Sequence, residues 1–167
     1  TEAKQQFADA LQHFLAVAKT DGGDLQKKYD ELNRELQRSE SRAKEVQSRI
    51  DSVEDVAGAL FVEWKKELAQ YSSPTLRADS ERQLAATQRR YDALLTVMRR
   101  ASDRMEPVLK TFRDQVLYLK HNLNARALAQ LDSTNRALEA DITRLVADME
   151  TSIREAEKFI KELKTNP

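Results

Sequence analysis

Between residues 25 and 64 the apolar residues of this chain recur at alternating steps of four and three. The series runs Leu25, Tyr29, Leu32, Leu36, with Ser39, then Ala43, Val46, Ile50, Val53, Ala57, Leu60 and Trp64. A 3.5-residue period held this long keeps one stripe of a helix facing a partner helix along a left-handed seam. A helix over 24–71 would be about 70 Å long at 1.5 Å per residue. Gly58 lies within it and costs roughly 1 kcal/mol relative to Ala, too little to end it.

Punctuation residues divide the rest. Residues 1–20 fit a helix with Phe7, Leu11, Phe14, Leu15 and Ala18 on one side. The "TDGGD" that follows ends it: Gly22 and Gly23 supply a free backbone for the turn, and Asp24 is a good N-cap. "YSSPT" ends the long helix, and Ser73 with Pro74 restarts the next one. A second heptad run follows through Leu84, Thr87, Tyr91, Leu94, Met98, Ala101, Met105, Val108 and Phe112. Two such stripes joined by a tight turn predict an antiparallel hairpin. Pro107 interrupts the second stripe, so a kink is expected near residues 103–107.

Beyond Phe112 the stripe continues to Val116, Leu119, Leu123, Ala127 and Leu131, and the four-three alternation gives way to steps of four. That locally relaxes the supercoil and suits a place where partner helices change. The polar island Lys120, His121, Asn122 and Asn124 lies here. Asn122 and Asn124 flank the stripe and are candidate register residues, alongside the junction residues Gly22, Gly23 and Pro107. The last stripe comprises Leu138, Ile142, Leu145, Met149, Ile153, Ala156, Ile160 and Leu163. The cap-prone run Asp132, Ser133, Thr134 and Asn135 predicts a turn before it, although one continuous helix also fits, because no Gly or Pro intervenes. The expected fold is all-α: an elongated antiparallel helical bundle, or coiled-coil hairpin. Its four helices would span about 1–20, 24–71, 74–131 (kinked at Pro107) and 134–164, in a single domain over 1–167.

Composition agrees. The chain is 40% hydrophobic and 34% charged with only 3 Gly and 3 Pro, as long helices require. Its 28 basic residues balance 28 acidic ones, which argues against a dedicated nucleic-acid binder. No run approaches the roughly 18 apolar residues of a membrane-spanning helix. There is no cysteine, so disulfides are excluded. The chain opens at Thr1 without a signal-like stretch and reads as an excised segment. Residues 77–126 carry 11 Lys/Arg against 6 Asp/Glu, whereas 24–71 carry 9 against 11 and 127–167 carry 6 against 8. A basic third element between two acidic neighbours helps select which helices pair.

Groups that carry chemistry are scarce. His13 has no metal ligand at helical spacing, and His121 has Tyr118 three residues before it rather than the Glu of a di-iron bundle. Both are expected on solvent-exposed surface. There is no phosphate-binding glycine loop and no serine beside a histidine and carboxylate, so neither an enzyme, a cofactor, a metal nor a small-molecule substrate is expected. The pairs Arg89-Arg90 and Arg99-Arg100 fall within roughly 80° of each other on a helix. They are either a patch for an anionic partner or a solvated face pairing with acidic neighbours such as Glu40, Glu45 or Glu54, and the second reading is preferred. Trp64 and Tyr71 continue the first stripe toward the hairpin tip. They are expected to pack there, with exposure to a partner as the alternative.

The segments "DGGDLQKKYDELN" (21–33), "VEDVAGALFVEW" (53–64), "LRADSERQLAATQRRYDALL" (76–95) and "FRDQVLYLKHNLNARAL" (112–128) together resemble a proteobacterial domain-of-unknown-function family, number 2959. The resemblance spans nearly the whole chain, and "VLYLKHNLNA" is its most distinctive stretch. It implies an exported protein of the periplasm or cell envelope, made with a signal peptide or lipoprotein signal, and it transfers no catalytic or binding residue. The expected function is therefore non-enzymatic: a structural or interaction protein that meets a protein partner, or another copy of itself, through long helical surfaces and the hairpin tip. The alternative is a peripheral membrane-surface or anionic-ligand module acting through the Arg-rich face.

Overall fold

The long heptad stripe becomes a single unbroken helix, and its ends lie where cap chemistry places them. The computed structural model describes residues 2–19, 24–122 and 125–165, so Gly22, Gly23 and Asn124 lie outside the described residues. The helices are α1 (Glu2–Lys19), α2 (Leu25–Leu68), α3 (Pro74–Asp103), α4 (Met105–His121) and α5 (Ala125–Thr165). Asp24 caps α2: its carboxylate accepts the backbone N–H of Gln26 at 2.9 Å and of Lys27 at 3.4 Å. These are two of the donors a helix start leaves unpaired. Ser73 caps α3 by accepting the Leu76 N–H at 3.4 Å, with Pro74 in the first turn.

The expected third helix is divided at Arg104, within the predicted kink. Pro107 sits in the first turn of α4, where its missing N–H would otherwise have reached back to Asp103, the last residue of α3. The chain then turns at Asn122 and not at 131–135. Asn122 leaves the helix at φ −134° and ψ 60°, donates its backbone N–H to Leu119 O at 3.2 Å, and donates its side-chain amide to Tyr118 O at 3.0 Å. Those bonds serve carbonyls that α4 leaves open. The cap-prone run Asp132–Asn135 lies inside α5, which continues through it. Local cap preference there loses to helix propagation, since no Gly or Pro interrupts the backbone. With α3 and α4 taken as one kinked helix, the structure is the expected all-α, four-element antiparallel bundle, but its last turn falls about ten residues earlier.

Packing differs between the two ends. Near the α1–α2 connection, α1 packs on α2 and α5, and α4 packs on the same two helices from the other side. The core there joins Phe7 and Leu11 of α1, Leu32 of α2, Phe112 and Leu119 of α4, and Leu138 and Leu145 of α5, each fully buried or within 2% of it. Each such side chain contributes about 1.5–3 kcal/mol by burial. Glu35 anchors the α1–α2 seam: although buried, it lies 3.1 Å from His13 Nδ1 and 2.9 Å from Arg38 Nη1. Toward the hairpin turn, α3 packs on both α2 and α5. Among the described residues no α2 Cα comes within 8 Å of an α5 Cα. In the distal half α3 thus contacts both α2 and α5 and lies between them.

The charge pattern selects these neighbours as expected. Arg99 of α3 pairs with Glu54 of α2, Arg113 of α4 with Glu40 of α2 at 2.5 Å, and Arg104 with Asp148 of α5 at 2.5 Å. The basic third element reaches acidic partners on both sides.

Candidate functional site

The predicted seams hold in the proximal half and change phase in the distal half. On α2 the stripe through Ile50 should continue to Val53, Ala57 and Leu60. Instead Phe61 and Leu68 are buried, while Val53 is 39% and Leu60 50% exposed. The inward series becomes Ile50, Glu54, Ala57, Phe61, Trp64 and Leu68. On α5 the same slip occurs: Ser152 and Phe159 turn inward, and Ile160, assigned to the stripe, is 51% exposed. Side chains that periodicity places in a seam therefore line a surface.

Tyr91 accounts for the slip. It stands at the centre of α3 with the Phe61 ring 5.5 Å away on one side and the Phe159 ring 6.3 Å away on the other. A ring at Leu60 or Ile160 would point away from it. Burial raises the pKa of the Tyr91 phenol, and the Glu54 and Asp92 carboxylates push it in the same direction, so it is uncharged at neutral pH. The Ser152 hydroxyl also faces inward, 3.0 Å from both Val97 O of α3 and Asp148 O of its own helix, either of which can accept its proton.

The result is an apolar groove along the distal half. Its α2 wall holds Val46 and Val53, its α5 wall Ile153 and Ala156, and its floor Met98 and Ala101 of α3, around a cavity of about 180 Å³. In the proximal half the equivalent channel between α2 and α5 is filled by α1. Beside the groove, α2 also exposes Val56 at 70%. Val56 is absent from the predicted stripe; its signal was the interleaved series Val53, Val56, Leu60, offset by one position from the inward one.

The tip residues separate. Trp64 is half-buried within the distal core and donates its indole N–H to Ser80 Oγ at 2.8 Å. Tyr71 in the turn is 43% exposed, and Leu76 beside it is 59% exposed.

The matched family is described as "Protein of unknown function (DUF2959)", and the match covers residues 1–163. The chain belongs to this family. No curated protein and no solved structure matches it. In this DUF2959 chain the four candidate arginines do not form one patch. Arg89 and Arg100 lie on one exposed face of α3, eleven residues apart, whereas Arg99 turns to Glu54. Arg90 is exposed, about 80° around the helix from Arg100. Asn122 stands at a helix end, so of the predicted junction residues within the described chain both it and Pro107 lie where helices break. His13 and His121 are exposed. Among the described residues no cluster of His, Asp and Glu could hold a metal ion. None of the described helices is long and apolar enough to cross a membrane.

Proposed function

We propose that this DUF2959 protein is a non-enzymatic interaction protein of the bacterial cell envelope, and that its distal half is the part that meets a protein partner. The carrying observation is the apolar surface concentrated there: Val53, Val56 and Leu60 along α2, Ile160 on α5, and Tyr71 with Leu76 at the tip. Contiguous exposed apolar side chains on a highly charged helical chain mark an interaction site more often than a catalytic one. The envelope location rests on the family resemblance alone. Photo-crosslinking in cells from residues placed at Glu63 and Tyr71 tests the reading. Discrete protein adducts from these positions, and none from Lys110 on α4, are expected; absence of any adduct under every growth condition would remove it.

A second reading is favoured by one observation. Arg89 and Arg100 share an exposed face and form no ion pair among the described residues. In this reading that face docks on anionic lipid headgroups. Salt-sensitive co-sedimentation with anionic vesicles, lost in Arg89→Glu/Arg100→Glu, would support it, and binding indifferent to lipid charge would sink it.

A further inference from the structure

On α2, the face that meets α1 includes Glu35, Arg38 and Arg42, which border a shared cleft with Gln6, Asp9 and His13. Continued at helical spacing past the reach of α1, that same face carries Arg49, Val53, Val56, Leu60 and Glu63. At 100° per residue these five side chains fall within about 80° of arc, along about 21 Å of helix. Alongside α1 this face carries Glu35, Arg38 and Arg42; past it, Val53, Val56 and Leu60 stand 39–70% exposed between Arg49 and Glu63. It adjoins the groove, of which Arg49 and Val53 form one wall and Ile153 part of the other. The distal half is therefore a four-helix cross-section with one position unfilled, and the side chains that heptad spacing assigns to a seam surround that position.

What fills it is indicated by the order of the residues. Read backward, Arg-Val-Val-Leu-Glu becomes Glu-Leu-Val-Val-Arg, so the stripe is complementary to itself in the antiparallel sense. About a two-fold axis at Val56, the Val53 of one chain meets the partner's Leu60, Val56 meets Val56, and Arg49 meets the partner's Glu63. Both charges are exposed, and the contact that Glu63 makes here is a 3.6 Å intrahelical pair with Lys66, which it can exchange at little cost. An antiparallel helix is also what occupies the same channel in the proximal half, where α1 runs against α2. We infer that the unfilled position is taken by α2 of a second copy of this chain, in an isologous contact centred on Val56. Each α2 then completes the other chain's cross-section, giving six helices in a two-by-three grid with Ile153 and Ile160 covered as well. This inference rests on the interaction reading above and names one partner for its surface.

The chain has no cysteine, so single cysteines report the contact directly. Val56→Cys, at a 70% exposed position, leaves the fold intact by circular dichroism and forms a disulfide-linked dimer about tenfold faster or more than Lys110→Cys, an exposed control on α4. In sedimentation equilibrium, Arg49→Glu weakens dimerisation by about tenfold, because two like-charge contacts replace two opposite ones, and Arg49→Glu/Glu63→Arg restores it. A wild-type chain that is monomeric at all concentrations overturns the proposal, as does Val56→Cys crosslinking no faster than the control. Equal dimerisation of wild type, single variant and charge swap overturns it too. In-cell adducts to other proteins from Tyr71, with no disulfide joining two Val56→Cys chains, overturn the self-pairing alone: the interaction reading stands, and the groove belongs to a different helix.

Discussion

Phe61 on α2 and Tyr91 on α3 meet edge to face, ring centroids 5.5 Å apart at 65°, one position away from where the heptad count puts the seam. An edge-to-face pair adds about 0.5–1.5 kcal/mol beyond its burial. Phe61→Ala should cost about 3–5 kcal/mol in urea unfolding, whereas Leu60→Ala should change stability by no more than about 0.5 kcal/mol in the dilute chain. Equal costs at the two positions would put the seam back on the sequence count.

Gln115 of α4 is 4% exposed, and neither its side-chain nitrogen nor its oxygen has a hydrogen-bond partner within the protein; the fully buried Ser39 hydroxyl of α2 is in the same situation. The Arg113–Glu40 ion pair sets these two residues at nearly the same level of the bundle. Buried polar groups left without partners cost about 1–3 kcal/mol each. Gln115→Leu should therefore raise the thermal midpoint, at some loss of register specificity if the pair discriminates against slipped packings. A lower midpoint with no cavity-forming change would contradict this.

Gly58 sits in the exposed distal half of α2, and a Cβ added there meets nothing within 4 Å. Gly58→Ala should stabilise the chain by up to about 1 kcal/mol through helix propensity alone. Chemical denaturation with an unchanged m-value checks it, and any destabilisation would mean that this side of α2 is not open.

Asn122 closes α4 by donating its amide to Tyr118 O at 3.0 Å. Asn122→Leu removes that bond and should cost about 0.5–1.5 kcal/mol, with no change in oligomeric state because the residue lies far from the distal groove. Unchanged stability would remove its role as a helix stop.

Arg113 bridges Glu106 at 2.6 Å and Glu40 at 2.5 Å. Its hydrogen bond holds the Glu106 carboxyl below the ordinary glutamate value, against an opposing effect of burial and with the charges of Arg113 and Lys110 adding to the lowering. A depressed carboxylate favours the folded state above its unfolded pKa, and that contribution disappears as pH falls through the folded value. Glu106→Gln should thus lower the thermal midpoint slightly at pH 7 and at low salt, by an amount that shrinks as pH falls below the ordinary glutamate range. The effect is small because both side chains are more than a third exposed, 41% and 67%.

Where a helix is packed on both sides, its sequence reads directly into structure. The α3 and α4 stripe from Leu84 to Phe112 lies against the core residue by residue, with Met98 alone half-buried, because α2 and α5 flank it along that length. The outer helices are less legible at their distal ends. Leu60 and Phe61 are both apolar, as are Phe159 and Ile160, so two phases of the stripe satisfy the same periodicity, and only the position of Tyr91 on a different helix selects between them. The last turn departs from the expected place for a related reason. Asp132 to Asn135 favour caps individually, but a cap preference acts within one turn of helix, and α5 continues through them. Of the candidate site, the apolar content of the exposed stripe is visible in the sequence, while its exposure is not, since periodicity says that a face wants a partner and not whether the chain supplies one. Trp64 and Tyr71 illustrate the same limit: they are equivalent in pattern, yet one bonds Ser80 inside and the other stays 43% exposed in the turn.

If a second helix covers the open face of α2 when the protein works, Leu60 is shielded in cells and open in dilute solution. Leu60→Cys, the sole thiol in the chain, reports that by its rate of alkylation with a membrane-permeant maleimide. In dilute purified protein it should react as fast as Lys110→Cys, and in intact cells at least about fivefold more slowly than that control, because another helix covers it. Equal rates at the two positions in cells would contradict that occupancy.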